Sequence, residues 1–260
     1  MINKIELFDT HCHLDDEKLV NDLNGVLQRA EDVGLVGMAT IGCDYRSSLF
    51  ALHLAEKYPQ VVAAVGIHPS DADTLDDEVL KELAEMASAE KARAIGEIGL
   101  DYHWDNVPRD VQKQAFIKQI HLAKDLHMPI IIHDREAHGD LFNICRKENA
   151  GEFGGIMHCF SGSWELAKEA MRMGFMISVG GPLTFKNSRQ LPDIVKNIPL
   201  DYLLLETDSP YLTPEPHRGK TNEPANVFFV AERAAQIRGM EVEEIARITT
   251  KNAKKFYKID

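Results

Sequence analysis

Short apolar runs recur along the whole chain, and longer amphipathic stretches separate them. Most of these runs are continuously apolar rather than alternating, which is typical of parallel strands covered by helices on both faces. The eight runs that we predict to be strands span residues 5–9, 35–41, 61–67, 92–98, 129–133, 155–159, 175–179 and 202–206.

The stretches between the runs have a helical period. In residues 16–33, for example, Leu19, Leu23 and Val26 recur at spacings of three or four and would share one face. The predicted helices span residues 16–33, 48–58, 76–89, 108–126, 137–147, 164–173, 189–196 and 225–237, and a further helix at 242–257 closes the chain.

Eight alternating β and α units in 260 residues predict an α/β fold, a single (β/α)8 TIM-type barrel. An open, doubly wound sheet is the alternative that this alternation leaves. The chain shows no linker and no repeat beyond the alternation itself, so we predict one domain over residues 1–260.

The composition is that of a soluble protein, with 44% hydrophobic and 27% charged residues. No window approaches the roughly 18 apolar residues that cross a bilayer, and the N-terminus lacks the features of a signal peptide, which predicts a cytoplasmic protein without a membrane partner. The four cysteines include no C-x-x-C pair, so we expect reduced, mostly buried thiols rather than a zinc knuckle.

The net charge of −12 argues against a broad basic surface that binds nucleic acid non-specifically. It does not exclude an active site that receives a phosphate group, because bound metal cations would reverse the local charge.

Metal-binding residue types stand at the ends of six of the eight runs, where active sites of such barrels form. His11 and His13 are two apart on an extended segment, so both point to one face, and Cys12 points away from them. The candidate ligands are His11, His13, Glu97, His133, His158 and Asp208.

Imidazole and carboxylate ligands together suit Zn²⁺, Mn²⁺ or Fe²⁺, and carboxylates with water suit Mg²⁺. Six ligands exceed the roughly three that one catalytic ion uses, so we predict two divalent cations with one carboxylate bridging them. With neutral imidazoles the ligands carry about −2, and two divalent ions bring the site to about +2, which would attract a phosphodiester.

The chain resembles the TatD family of metal-dependent hydrolases, in the amidohydrolase-like superfamily. The resemblance rests on the motifs at residues 8–14, 66–69, 96–102, 133–135, 158–162 and 205–212 and extends to Asn252-Ala253. It implies a TIM-type barrel with two or three divalent ions (Mg²⁺, Mn²⁺ or Zn²⁺). It further implies hydrolysis of ester bonds, most often in DNA, as in 3′–5′ exodeoxyribonucleases.

The resemblance also implies which residue binds which ion. His11, His13 and Asp208 would bind one ion, His133 and His158 would bind the other, and Glu97 would bridge. Because no lysine lies near the end of the fourth run, a bridging carboxylated lysine of the dihydroorotase or phosphotriesterase kind is disfavoured.

The mechanism that we expect is attack of a metal-bound hydroxide on phosphorus. Asp208 would accept the proton of the attacking water, and its alternative role is metal ligand only. Glu97 would take part in catalysis as the bridging ligand.

Five further polar residues are candidates for supporting roles. His68 would contact a substrate phosphate or a third ion, or else hydrogen-bond behind the ligands. Arg135 would bind phosphate or form an ion pair with Asp134 or Glu136. Asp101 would orient a histidine ligand or cap a loop, and Glu206 would lie just outside the ligands or bind metal. Arg218 lies in the proline-rich basic loop 213–224, which would form a phosphate-binding rim or a plain solvated loop.

The substrate partner predicted from these features is DNA, single-stranded or at its 3′ ends, and the protein is expected to be a monomer. Phe185 would stack on a base more readily than Trp164, which we expect to pack near a helix start. Two alternatives stay open: a hydrolase of another ester or amide, such as D-aminoacyl-tRNA or a small metabolite, and a barrel that only stores metal.

Overall fold

The computed structural model describes residues 5–104 and 106–259. Its strands are β1 Leu7–Cys12, β2 Leu35–Ile41, β3 Val61–Val65, β4 Ala92–Asp101, β5 Ile130–Arg135, β6 Gly155–Met157, β7 Phe175–Val179 and β8 Leu203–Leu205. Its helices are α1 Glu17–Val20, α2 Leu23–Asp32, α3 Tyr45–Lys57, α4 Asp77–Ala87, α5 Arg109–Asp125, α6 His138–Glu148, α7 Trp164–Arg172, α8 Leu191–Asn197, α9 Val227–Arg238 and α10 Val242–Tyr257.

The eight strands follow one another in the sheet in their order along the chain, from β1 to β8. The strand pairs β1–β2, β3–β4, β4–β5, β5–β6 and β7–β8 are all parallel. Parallel strands in chain order with intervening helices form the topology of a (β/α)8 barrel, so the predicted fold class is confirmed.

The chain divides into two compact units, Met1–Thr40 with Ile177–Asp260, and Ile41–Met176. The core of the first unit contains Leu7, Met38 and Tyr257, each with less than 2% of its surface exposed. Within this unit, β1 continues into a parallel bridge between Cys12 and Ser209, which lies just beyond β8.

The second unit packs α5 against β4. Phe116 of α5 and Ile95 and Ile98 of β4 are fully buried. The helix predicted over residues 108–126 therefore covers the sheet with apolar side chains.

The predicted helix over residues 16–33 is two helices in the structure, α1 and α2. Asn21 donates a side-chain hydrogen bond to the Glu17 carbonyl at 2.8 Å, and Asp22 leaves the helical region at φ −127°. The Asp22 carboxylate accepts a hydrogen bond from Arg29 at 3.0 Å. Short polar side chains compete with the helical backbone in this way, and the apolar spacing alone does not reveal it.

Helix α10, Val242–Tyr257, has the bounds that the pattern predicted. In the described part of the chain, the short 3-10 helices Pro69–Thr74 and Gly181–Thr184 lie where the pattern predicted no element. Two others, Leu200–Tyr202 and Pro224–Asn226, overlap the first residues of the predicted strand 202–206 and the predicted helix 225–237. Among the described residues, no helix combines the length and the apolar character that crossing a bilayer requires.

Candidate metal centre

In the first unit, the end of β1 and the segment after β8 bring together two imidazoles and a carboxylate. The Nε2 atoms of His11 and His13 lie 3.3 Å apart. Asp208 Oδ1 lies 3.8 Å from His11 Nε2 and 3.4 Å from His13 Nε2. We call these three residues the triad, and both histidines in it are buried.

The backbone holds the triad in register. The Asp208 N–H donates to the His11 carbonyl at 2.9 Å, and the His13 N–H donates to the Ser209 carbonyl at 2.8 Å. Asp208 itself has φ 56°, in the left-handed region, which Asp and Asn tolerate better than other non-glycine residues. This turn aims the carboxylate back at the two histidines.

Asp9 is fully buried and is hydrogen-bonded to the backbone beside two residues of the triad. Its Oδ1 accepts the backbone N–H groups of His11 (3.2 Å) and Thr207 (2.9 Å), and its Oδ2 accepts the Thr207 hydroxyl (2.5 Å). Burial raises the pKa of Asp9 to about 8, although these hydrogen bonds oppose the rise. One carboxyl group thus ties the strand that carries His11 to the segment that carries Asp208.

In the second unit, Glu97 of β4 is the centre of another set of donors. Its Oε1 lies 2.7 Å from His133 Nδ1, 3.1 Å from His158 Nε2 and 3.9 Å from His68 Nε2. Glu97 and His158 are buried, and the other two histidines are half-buried. We call these four residues the Glu97 set.

His133 is held between two carboxylates. Its Nδ1 lies 2.7 Å from Glu97 Oε1, and its Nε2 lies 3.0 Å from Asp101 Oδ2. Burial lowers the pKa of His133, but hydrogen bonds to Asp101 and Glu97 outweigh it, so the net shift is upward. Burial also opposes the ionisation of Asp101, yet bonding to His133 and to backbone N–H groups lowers its pKa to about 2.

A glycine lets β4 approach β5 at this point. Gly99 pairs with His133 in the sheet and has φ 146°. A Cβ atom there would lie 2.0 Å from the His133 carbonyl oxygen, so any side chain would push the two strands apart.

The triad fits a divalent cation by its donor chemistry and spacing. Ligand atoms about 2.0–2.1 Å from a tetrahedral ion lie about 3.4 Å from one another, and the triad's separations are 3.3, 3.4 and 3.8 Å. In the Glu97 set, the donor atoms of His68, Glu97 and His133 lie within 4.8 Å of one another. There His133 would exchange a proton for the ion, as imidazole ligands do.

The supporting residues have defined contacts. Asp101 accepts from His133, in line with the orienting role that the sequence suggested for it. Glu206 is fully buried and is hydrogen-bonded through its N–H to the Val179 carbonyl. The Arg218 guanidinium carbon lies 4.0 Å from the centre of the Phe185 ring, which places the basic loop over the aromatic side chain considered for stacking.

The two acids flanking Arg135 have other partners. Asp134 is hydrogen-bonded to His138 at 2.7 Å, and Glu136 to His103 at 2.8 Å. Arg135 instead places its guanidinium 5.5 Å from the centre of the Trp104 ring. Both acids considered as ion-pair partners thus bond to histidines, and the phosphate-binding role of Arg135 stays a prediction.

All four cysteines are free thiols. Cys12 is buried and its Sγ donates to the Ala39 carbonyl at 3.2 Å. Cys145 is also buried, whereas Cys43 and Cys159 are half-buried. Cys43 Sγ lies 3.8 Å from Glu97 Oε2, a proximity that the sequence did not indicate.

Sequence reasoning missed Trp104 and two glutamines of α5. Trp104 is 53% exposed and lies between the end of β4 and α5. Gln112 and Gln119 are buried and bond to the backbone of Asp101 and Ile67. A tryptophan two residues after the motif at 96–102 was a usable signal in the sequence, whereas the two glutamines offered none.

Comparison with known proteins gives one consistent result. The family model described as TatD related DNase matches residues 8–258. The chain is 48% identical over 254 residues to the uncharacterized metal-dependent hydrolase YabD of Bacillus subtilis, covering 98% of this chain and all of the relative. It is 38% identical over 257 residues to the uncharacterized metal-dependent hydrolase YcfH of Escherichia coli K12, covering 98% and 96%.

A solved structure agrees with the sequence relatives. The crystal structure of YJJV, a TatD homolog from Escherichia coli K12, has a TM-score of 0.92 and 30% identity, covering 98% of each chain. The matched region contains every motif residue described above. The chain therefore belongs to the TatD related DNase family and is a metal-dependent hydrolase.

Proposed function

We propose that the protein hydrolyses phosphodiester bonds at the ends of DNA strands, as one metallohydrolase domain over residues 1–260. The triad would bind one divalent ion, and Glu97 with His133 and His158 would bind a second. Glu97 as a ligand common to both ions stays a prediction of the family resemblance. When bound, such ions lower the pKa of a water nucleophile and neutralise charge on phosphoryl oxygens.

The observation that carries this proposal is the hydrogen bond between Ser70 and His68. His68 Nδ1 accepts the Ser70 N–H at 3.1 Å, which leaves Nε2 as the protonated nitrogen of a neutral ring. His68 Nε2 lies 3.9 Å from Glu97 Oε1. An N–H donor beside the candidate ligands suits a phosphoryl oxygen, and it does not suit a third ion, which would need a bare Nε2.

Asp208 is the residue that we propose to accept a proton from the attacking water. It is the carboxylate of the triad, with 14% of its side chain exposed, so solvent reaches it. A positioned general base contributes roughly 10²–10⁴-fold to rate. Asn is its closest neutral substitute, because Asn also tolerates the left-handed backbone at this position.

The first test is release of nucleotides from single-stranded DNA with Mg²⁺ or Mn²⁺. We expect turnover that EDTA abolishes, and that Asp208→Asn lowers at least about 100-fold even at metal concentrations at which the variant retains its ions, as metal analysis of the same samples would show. Rapid hydrolysis of a carboxylic ester without nucleotide release would contradict the proposal and favour the alternative ester substrate.

The second test separates substrate binding from metal binding. His68→Ala should raise KM for DNA without lowering the number of bound ions. His53→Ala, which changes an exposed histidine of α3, is the matched control and should behave as wild type. A loss of bound metal in His68→Ala would show that His68 is a ligand instead.

A further inference from the structure

The loop between β4 and α5 exposes an indole beside a guanidinium. Trp104 is 53% exposed, and the Arg135 guanidinium carbon lies 5.5 Å from its ring centre. The His103 ring meets the indole edge-on at 4.9 Å. A single exposed apolar residue is common on protein surfaces. A large aromatic ring with a cation at its face is a specific cation–π contact.

Asp101 connects this arrangement to the Glu97 set. Its Oδ1 accepts the backbone N–H groups of His103 (2.9 Å) and Trp104 (3.0 Å). Its Oδ2 bonds to His133 Nε2 at 3.0 Å. One carboxylate, that of Asp101, therefore binds both the loop that carries the indole and the imidazole of the candidate ligand His133. This shared carboxylate fixes the distance between the loop and the imidazole.

Arg135 is fixed to the same place by β5. It lies two residues after His133, so its position is about 7 Å further along the strand on the same face. Arg135 pairs with Asp101 in the sheet, and its carbonyl accepts the Tyr102 N–H at 2.9 Å. The cation thus stands just beyond the candidate metal ligand, at the carboxyl end of the strand.

We propose that Trp104 and Arg135 form a nucleotide subsite, in which a base stacks on the indole and the guanidinium binds a neighbouring phosphate. The subsite rests on the proposed function and deepens it, since it selects single-stranded nucleic acid. Every base has a π face, so stacking tolerates any sequence. Bases already stacked and paired in a duplex do not reach a ring in this position, so double-stranded ends bind less tightly.

The local charges are compatible with this ligand. The Glu136 carboxylate is paired with His103, the residue whose ring meets the indole, at 2.8 Å. Arg109, the first residue of α5, adds a second guanidinium, 4.2 Å from the centre of the Tyr102 ring. Against a net charge of −12, these two arginines beside the loop favour an anionic ligand there.

Fluorescence tests the subsite without turnover. The chain has two tryptophans, so Trp164→Phe leaves Trp104 as the only indole. With Mg²⁺, we expect a phosphorothioate oligothymidylate to quench that fluorescence with saturation, and a duplex of equal length to quench it less. Oligonucleotide binding seen by anisotropy without quenching, or equal quenching by the duplex, would overturn the subsite.

Kinetics provides the second measurement. From the energy of one stacked base, Trp104→Ala should lower kcat/KM for single-stranded DNA about 5- to 150-fold, and Trp104→Phe should restore most of it. In Trp104→Ala, the ratio of kcat/KM for single-stranded DNA to kcat/KM for bis(p-nitrophenyl) phosphate should also fall. Trp164→Ala, at a half-buried indole under Lys168, is the matched control and should match wild type.

The two proposals fail differently. A wild-type protein that releases no nucleotide contradicts the phosphodiesterase function. A wild-type protein that degrades DNA while Trp104→Ala degrades it equally well contradicts the subsite alone. Equal melting temperatures of the variants establish that lost activity reflects lost contact, as expected for an exposed side chain.

Discussion

Tyr257 ends α10 and places its hydroxyl group against the backbone of β1. The hydroxyl donates to the Thr10 carbonyl at 2.7 Å, one residue before the candidate ligand His11. Its ring is fully buried and stacks on Phe8 with a centroid distance of 5.7 Å. Burial raises the pKa of Tyr257 well above its ordinary value, and the nearby acids Glu206 and Asp9 raise it further.

Tyr257→Phe should lower the free energy of unfolding by about 1–3 kcal/mol at pH 7, because the buried Thr10 carbonyl loses its donor. The sign of the pH effect follows from the raised pKa. Above pH about 10 the unfolded chain loses the tyrosine proton and the folded chain keeps it, so wild-type stability falls there by up to about 1.4 kcal/mol per pH unit.

Urea denaturation between pH 8 and 11 measures both effects. The variant should be less stable at pH 8 and should lose less stability between pH 10 and 11 than wild type. Tyr202→Phe, at a half-buried tyrosine, is the control. Parallel alkaline slopes in wild type and Tyr257→Phe would contradict the assignment.

At the scale of elements, α5 uses two buried glutamines to hold the strand ends that carry candidate site residues. Gln112 and Gln119 are seven residues apart, two helical turns, so both face the sheet. Gln119 accepts the Ile67 N–H at 2.8 Å and donates to the Ile67 carbonyl at 3.0 Å, next to His68. Gln112 makes the same pair of bonds with Asp101, at 2.9 and 3.0 Å.

Gln119→Leu should destabilise the protein by about 2–4 kcal/mol, since two buried backbone groups of Ile67 lose their partners. It should also raise KM through displacement of His68. Gln114→Leu changes an exposed glutamine of the same helix and should alter stability by less than about 0.5 kcal/mol. Equal stability of the two variants in urea would show that the hydrogen bonds between Gln119 and Ile67 do not stabilise the fold.

At the scale of the whole molecule, candidate metal ligands come from both compact units. The first unit provides the triad, and the second provides Glu97, His133 and His158. In both units, imidazole nitrogens lie within 4 Å of a carboxylate oxygen, and a bound cation competes with protons for these nitrogens. Cation binding to the folded chain therefore couples to stability and to proton release.

Adding Mn²⁺ or Zn²⁺ to the EDTA-treated protein should raise its melting temperature. At 100 times Kd each site contributes about 2.7 kcal/mol, which corresponds to roughly 5–10 °C for a chain of this size. Asp208→Asn should reduce the shift, and Asp201→Asn, at an exposed acid of the same unit, should not. An unchanged melting temperature at saturating metal would contradict metal binding to the folded protein.

Much of the fold was accessible from the sequence because it depends on local pattern. Continuous apolar runs marked all eight strands, and the spacing in residues 242–257 gave α10 its bounds. Ligand residue types such as His11, His13 and Glu97 stood at strand ends, where the strand itself fixes which way neighbouring side chains point. Motif residues close together in the chain needed no three-dimensional information to be recognised.

Tertiary structure alone decided the features that join residues distant in the chain. The bond of Asp101 to His133 and the bonds of Gln112 and Gln119 to the strand ends join residues that lie far apart in the sequence. Apolar periodicity reports which face of an element is buried, but it does not report which polar group meets which. The sequence by itself therefore determined the elements and the ligand chemistry, whereas packing decided how those ligands are oriented and what surrounds them.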